Sequence, residues 1–85
     1  MTLFQLNSVS IPASFCLIKP VDGLLLKRDA CWLLYQQRPW PTNTLYVLEH
    51  DVKALQIEVP APWITISDCE WIELTLKYQQ VVNCQ

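Results

Sequence analysis

The chain has one glycine and one histidine among 85 residues, and its four cysteines form no CxxC pair. Without more glycine it has no glycine-rich loop of the kind that cradles phosphates. The spacings of Cys16, Cys31, Cys69 and Cys84 do not match a zinc site, and His50 is far from each of them in sequence. The sequence therefore predicts neither a bound metal nor a cofactor, and it provides no paired general base for a small stand-alone thiol enzyme.

Charged residues are also few, at 16% of the chain, and the net charge is −2. Because no basic face is available, direct nucleic-acid binding is not expected. No apolar run approaches the roughly 20 residues that cross a bilayer. The opening MTLFQLN has neither a basic segment nor a long apolar segment of a secretion signal. We expect a cytoplasmic protein with reduced thiols and no membrane contact.

Hydrophobic residues, in contrast, make up 52% of the chain. A chain of 85 residues is expected to form one domain, spanning 1–85, and a domain of this size buries only part of its surface. We therefore expect part of the remaining apolar surface to cover a partner.

The centre of the chain is the stretch 22–37, DGLLLKRDACWLLYQQ. The run Leu24–Leu26 shows no alternation, which is typical of a short strand covered on both faces. Asp29 is placed to cap a helix over Ala30–Gln37, which is apolar on nearly every side and is expected to be buried.

The remaining segments repeat this order of strand and helix. Ser67 and Glu70 fit a capping box at the start of the last helix, whose Cys69, Ile72 and Leu76 share one apolar face. Glu73 and Lys77 are spaced for an ion pair on that helix. The other predicted strands are Thr2–Leu6, Thr44–Leu48 and Trp63–Ile66, the other predicted helices are Ala13–Lys19 and Val52–Gln56, and Asn83–Gln85 is expected to fray.

Four strands alternating with helices predict an α/β fold, a small single-domain, mostly parallel sheet with helices on both faces and right-handed crossovers. Reactive groups in such sheets gather beyond the carboxyl ends of the strands. The residues expected there are Asn7, Asp29, Glu49, His50 and Ser67, with Cys16 nearby on the first helix.

Five segments in order resemble the TusB/DsrH family of the DsrE-like α/β fold, and together they cover nearly the whole chain. The sequence departs from the family pattern in three ways: Ala30 stands where the family has a glycine, Leu55-Gln56 stand where it usually has Arg-Gly, and the first helix is shorter. The segments that carry the resemblance are LFQLNSVS at 3–10, SFCLIK at 14–19, DGLLLKRDACWLL at 22–34, LYVLEHDVKAL at 45–55 and ITISDCEWIELTLKYQQVVNC at 64–84.

The resemblance implies a subunit of a sulfur-relay complex. In the TusB branch the protein joins TusC-like and TusD-like subunits in a heterohexamer, which passes persulfide sulfur through a TusE-like carrier toward 2-thiolation of the tRNA wobble uridine. The relay cysteine of that branch belongs to the TusD-type subunit, so this chain is expected to be a non-catalytic partner. In the DsrH branch a DsrE/DsrF-like complex with a DsrC-like carrier serves cytoplasmic sulfur oxidation.

Each candidate residue has a structural reading beside the functional one. Cys16 is the possible persulfide acceptor, since placement near a helix start lowers a thiol pKa, yet its apolar neighbours also suit a buried cysteine. Cys31 and Cys69 suit packing, and Cys84 falls in the tail. His50 suits a solvated loop more than a proton shuttle. Trp40 and Trp63, next to prolines, suit either a partner contact or the edge of the core.

Overall fold

A computed structural model of the protein describes residues 2–8, 17–36, 40, 42–60 and 62–84. No helix in these ranges is long and apolar enough to cross a membrane. The elements are β1 (Thr2–Leu6), β2 (Gly23–Leu26), a 3₁₀ helix (Arg28–Tyr35), β3 (Thr44–Leu48), α1 (Glu49–Leu55), β4 (Ile64–Ile66), α2 (Asp68–Lys77) and β5 (Gln80–Cys84).

The strands form one sheet in the order β4-β3-β2-β1-β5, and every neighbouring pair is parallel. The predicted α/β class with a parallel sheet is therefore confirmed. The connections from β1 to β4 step along the sheet in one direction, whereas the connection from β4 to β5 returns across it. Right-handed crossovers that run in opposite directions pass over opposite faces, which explains why α2 is separated from the other helices.

The first face of the sheet carries Leu24, Leu26 and Val47, and it is packed by the 3₁₀ helix and α1. This face holds the larger core, whose helical contribution comes from Ala30, Cys31, Leu33, Leu34 and Val52.

The second face carries Leu3, Leu25, Leu48 and Ile66, together with buried Tyr78. Its helix, α2, contributes only partly buried residues, including Trp71 and Leu74. Helices thus lie on both faces, as predicted, but they cover the two faces unequally.

The only glycine of the chain is required by a close approach. Gly23 begins β2, and a Cβ built on it would lie 2.5 Å from the Tyr78 hydroxyl oxygen and 2.9 Å from the ring carbon that bears it. The ring can reach β2 on the second face because this position has no side chain. Gly23 therefore lets Tyr78 pack against β2, with its hydroxyl near the side chain of Tyr46.

Asp22 ties together three segments at the amino end of the sheet. Its buried carboxylate accepts hydrogen bonds from the backbone amides of Thr2 at 3.0 Å and Lys19 at 2.9 Å. Its carbonyl oxygen accepts one from the Thr42 hydroxyl at 2.6 Å. Burial alone would raise the pKa of Asp22, but the two amide hydrogen bonds and nearby positive charges outweigh it and lower that pKa.

The prediction of a buried helix over Ala30–Gln37, capped by Asp29, was wrong in three respects. The segment is a 3₁₀ helix, its N-cap is Lys27 without a side-chain cap, and Trp32 is exposed. The buried pairs Ala30/Leu33 and Cys31/Leu34 recur every three residues, a spacing that a 3₁₀ helix places on one side.

Two other elements begin at residues that differ from the sequence predictions. α1 begins at Glu49 instead of Val52, and β4 begins at Ile64 instead of Trp63. The predicted helix Ala13–Lys19 falls mostly outside the described residues. The fraying expected from Asn83 was wrong, because Gln80–Cys84 forms β5 and pairs with β1 from Thr2 to Leu6.

Candidate functional site

The carboxyl ends of β1 to β4 lie at one edge of the sheet because these strands are parallel. We call this the carboxyl edge; it brings together Asn7, Lys27 to Asp29, Glu49 to Asp51 and Ser67. Open parallel sheets bind ligands at this edge. Each of the residues predicted for this edge follows the carboxyl end of a strand in the structure: Asn7, Asp29, Glu49, His50 and Ser67.

The backbone at the end of β2 is held in an unusual conformation. Arg28 has φ of 52°, in the left-handed region that residues other than glycine rarely adopt. Its amide donates a hydrogen bond to Asp51 Oδ2 at 2.8 Å, and the preceding Lys27 amide donates to the Leu6 carbonyl at 2.9 Å. These two contacts connect the end of β2 to β1 and α1 and offset the backbone cost, which is of order 1–3 kcal/mol.

Lys27 extends over the second face and contacts α2. Its Nζ lies 4.7 Å from the centre of the Trp71 ring, a cation–π contact. Burial lowers the pKa of Lys27, the charge of Arg28 lowers it further, and Asp51 partly opposes both. The Lys27 ammonium thus connects the end of β2 to the indole ring of α2.

Within the described part of the chain, two buried polar atoms near this edge have no hydrogen-bond partner, Asn7 Oδ1 and Trp71 Nε1. One is an acceptor and the other a donor. The sequence indicated Asn7 from its place after β1, but it did not indicate Trp71, because only the crossing of α2 over the sheet brings the indole there.

The other predicted edge residues have structural roles or face solvent. Glu49 forms an ion pair with Lys53 at 2.7 Å along α1. His50 is exposed on the same helix and not in a loop. The Ser67 hydroxyl accepts from the Glu70 amide at 3.2 Å while Glu70 Oε1 accepts from the Ser67 amide at 3.0 Å, which confirms the predicted capping box.

The cysteines of the chain have different surroundings and different roles. Cys16, the predicted persulfide acceptor, lies outside the described residues. Cys31 is fully buried, its thiol faces the Leu26 carbonyl at 3.9 Å, and burial, reinforced by Asp51, raises its pKa to about 12. The thiol is therefore protonated at neutral pH and unsuited to nucleophilic attack, which agrees with the packing role expected for Cys31.

The packing role expected for Cys69 was wrong, because its side chain is exposed. The helix turns Trp71 and Leu74 toward the sheet, and this places Cys69 on the opposite side. Cys84 belongs to β5 instead of a loose tail. Across the described parts of the chain, no three His, Cys, Asp or Glu side chains come together as a metal site.

The outer side of α2 is apolar and uncovered. Ile72 is 60% exposed and Leu76 is 81% exposed, one turn apart on the side that faces away from the sheet. Together with Cys69 they form what we call the outer stripe of α2. α2 therefore has two apolar sides, of which only one packs against the described residues.

A groove lies between α2 and β4 on the second face, with a volume of about 270 Å³. Its apolar part is formed by Tyr46, Ile64, Ile66 and Leu74. Its wall on α2 carries Glu70, Glu73 and Lys77. Ile64 remains 53% exposed at the outer end of the groove. In the described ranges Lys53–Glu49 is the only ion pair, so the predicted pair Glu73–Lys77 is not formed.

Trp40 and Trp63 belong to the edge of the core. Their rings make an edge-to-face contact with centres 5.0 Å apart, and both pack against the core of the first face. This arrangement favours the structural reading of the two tryptophans over a partner contact.

No model of a known protein family matches the chain, and no curated protein shows significant sequence similarity to it.

Proposed function

We propose that this protein is a non-catalytic subunit of a TusBCD-like sulfur-relay complex that serves 2-thiolation of the tRNA wobble uridine in the cytoplasm. The proposal combines the resemblance of five segments to the TusB/DsrH family with the parallel α/β fold. Its partners would be TusC-like and TusD-like subunits in a heterohexamer, with a TusE-like carrier delivering or receiving sulfur.

The observation that carries the proposal is the outer stripe of α2. Large apolar side chains as exposed as Ile72 and Leu76, on a helix with no buried residue, are more typical of a subunit than of an isolated domain. Interfaces between subunits of a permanent complex bury apolar patches of this kind. Trp32 and Tyr35, whose ring centres are 5.9 Å apart, add a second exposed patch on the 3₁₀ helix.

A non-catalytic role is supported by the chemistry of the described thiols. Persulfide transfer requires a thiolate that can reach a sulfur donor. Cys31 is buried and its pKa is about 12, so it meets neither requirement. Cys69 is accessible but is placed on the outer stripe, a surface that an interface would cover.

The proposal is tested by co-expressing the chain with its TusC-like and TusD-like neighbours and measuring the mass of the purified assembly. We expect a heteromer, and we expect Leu76→Glu to release this chain from it. Ala54→Glu, at an exposed position of α1, is the matched control and should leave the assembly intact. A chain that stays monomeric beside these subunits, or an assembly indifferent to Leu76→Glu, would refute the interface role.

A second candidate keeps the family and adds chemistry: a DsrH-like subunit of a sulfur-oxidation complex in which Cys16 accepts sulfur. It is favoured only by the place of Cys16 in the segment that resembles the DsrH branch. Mass spectrometry after incubation with a persulfide donor distinguishes it. A gain of one sulfur atom that is lost in Cys16→Ser would support this candidate, and an unmodified wild-type chain would exclude it.

A third candidate, an interaction module without sulfur chemistry, is supported by the same apolar surfaces. It predicts binding partners unrelated to sulfur transfer and no persulfide on any cysteine. The co-expression and mass measurements above therefore separate all three.

A further inference from the structure

The second face of the sheet is too wide for the helix that covers it. Five strands spaced about 4.8 Å apart span roughly 20 Å, whereas a helix with its side chains is about 10 Å across. α2 is the only described helix on this face; the central residues of the face are buried, and Ile64 of β4 and Val81 of β5 are left exposed at its two margins. The groove between α2 and β4 lies at the β4 margin.

The chemistry of the groove suits an amphipathic helix. Its floor offers Tyr46 and Ile64, and Leu74 closes it on the side of α2. An apolar stripe of an added helix would pack on these three side chains, as in other helix-in-groove complexes. Exposure of 53% for Ile64, at the outer end of the groove, marks the side chain that gains most from being covered.

The charges on the wall indicate which helix fits. Glu70 and Glu73 place two carboxylates along the groove, and Lys77 places one ammonium at its end. Glu73 and Lys77 make no ion pair within the described chain. A helix with lysine or arginine beside its apolar stripe would complement the two carboxylates.

A second copy of this chain does not provide that complement. An isologous pair that placed each α2 in the groove of the other would set the same wall against itself. Each copy would bring two carboxylates but only one ammonium, that of Lys77, so the two walls would carry a net like charge and repel. The occupant that the charges favour is therefore a different chain.

We propose that the groove between α2 and β4 is a docking site for an amphipathic helix of a partner protein, with its apolar stripe on Tyr46, Ile64 and Leu74 and basic residues toward Glu70 and Glu73. The site is distinct from the outer stripe of α2, and it stands whether or not the chain serves sulfur transfer.

The test uses two synthetic peptides of about 18 residues, a length at which helices become stable enough to dock. Both carry the same leucine stripe; the basic peptide has lysines beside it and the acidic peptide has glutamates. Fluorescence anisotropy of the labelled peptides with the full chain should show the basic peptide binding about tenfold or more tighter than the acidic one. Equal binding, or no binding of either peptide, would overturn the proposal.

Variants of the chain locate the binding. Ile64→Lys should weaken the basic peptide at least tenfold, and Glu73→Lys should weaken the basic peptide while strengthening the acidic one. Leu76→Lys, on the outer stripe, is the matched control and should change neither. Circular dichroism confirms that each variant is folded.

Two results would refute the site even if the basic peptide binds. One is binding unaffected by Ile64→Lys, which would place the peptide elsewhere. The other is self-association of the wild-type chain, measured by sedimentation equilibrium, that Ile64→Lys abolishes, which would make a second copy the occupant. The proposed function is tested at Leu76 and this docking site is tested at Ile64, so failure of one proposal can be told apart from failure of the other.

Discussion

The two faces of the sheet are built from the same leucine-rich strands but differ in how much of their apolar surface is covered. Leu24 and Leu26 of β2 are buried beneath the 3₁₀ helix and α1, and Leu25 is equally buried on the second face, but among the described helices only α2 lies on that face and Ile64 at its margin stays exposed. The difference arises from the connections. Three of them step in one direction along the sheet and one returns, so the right-handed rule assigns most of the covering chain to the first face.

This comparison shows that apolar surface can stay exposed in a small α/β chain because of the order in which the strands are connected. The second face is not less apolar; it has fewer segments returning over it. Stability should then depend mainly on residues of the first face, and association mainly on residues of the second. The predictions below test that division, beginning with the largest expected effect.

The sharpest contrast is between two leucines. Leu33→Ala removes a fully buried side chain of the first face and should cost about 2–5 kcal/mol of unfolding free energy. Leu76→Ala removes an exposed side chain of α2 and should change it by about 0.5 kcal/mol or less. Urea unfolding of the isolated chain measures both, and similar costs would show that the faces are not divided as described.

The second prediction concerns the close approach of Tyr78 to Gly23 on the second face. Gly23→Ala places a methyl group within 3 Å of the Tyr78 ring and should cost about 1–3 kcal/mol. In a Tyr78→Leu background the same substitution should cost much less, because the conflicting atoms are gone. Additive costs in the double variant would exclude this account of the glycine.

The buried thiol of the first face should make stability fall in alkaline solution. The pKa of Cys31 is raised to about 12 from 9.0, so the protonated thiol favours the folded state. That stabilisation is complete below pH 9 and is lost as the pH rises toward 12, at about 1.4 kcal/mol per pH unit.

The control for the alkaline prediction is Cys31→Ala. The quantity to compare is the slope of the unfolding free energy against pH, and not the unfolding free energy itself. Between pH 9 and 10 the unfolding free energy of Cys31→Ala should not show the decline that is due to Cys31. Tyr78 does not interfere in this range, because its pKa is raised from 10.0 to about 12 and it therefore affects stability only above pH 10. An unchanged slope in Cys31→Ala would place the titrating group elsewhere.

The smallest effect concerns the start of α2. Because this helix has no buried residue, its capping box should matter: Ser67→Ala is expected to cost about 1 kcal/mol. Ser67→Asp keeps an acceptor for the Glu70 amide and should restore most of the loss. Equal unfolding free energies for the two variants would show that the cap does not stabilise α2.

The strands that could be predicted from the sequence are those with local signals. Thr2–Leu6 and Thr44–Leu48 have the predicted bounds, and the capping box fixed the start of α2. β5 has no such signal: Val81 and Val82 stand between polar residues, and they form a strand only because β1 offers an edge from the other end of the chain. The 3₁₀ helix was missed because a helix period of 3.6 was assumed where buried residues recur every three.

For the candidate site, the sequence could predict only those residues whose position follows directly from the order of the strands. Asn7 and Ser67 follow strands and so reach the carboxyl edge. Trp71 reaches Lys27, and Tyr78 reaches Gly23, because the chain returns across the sheet between β4 and β5, which no local pattern encodes. The side of α2 that faces the sheet was also predicted wrongly. The pair Trp71 and Leu74 and the pair Ile72 and Leu76 are both apolar, and helical spacing alone does not tell which pair packs on the sheet.

The unequal cover of the two faces is tested most directly by NMR of methyl groups with a soluble paramagnetic probe, before and after adding the basic peptide. In the free chain, the methyl signals of Ile64, Ile72 and Leu76 should broaden while those of Leu33 and Val47 stay sharp. The peptide should then protect Ile64 and leave Leu76 broadened. Equal protection of all five in the free chain, or an Ile64 signal unchanged by the peptide, would contradict the account.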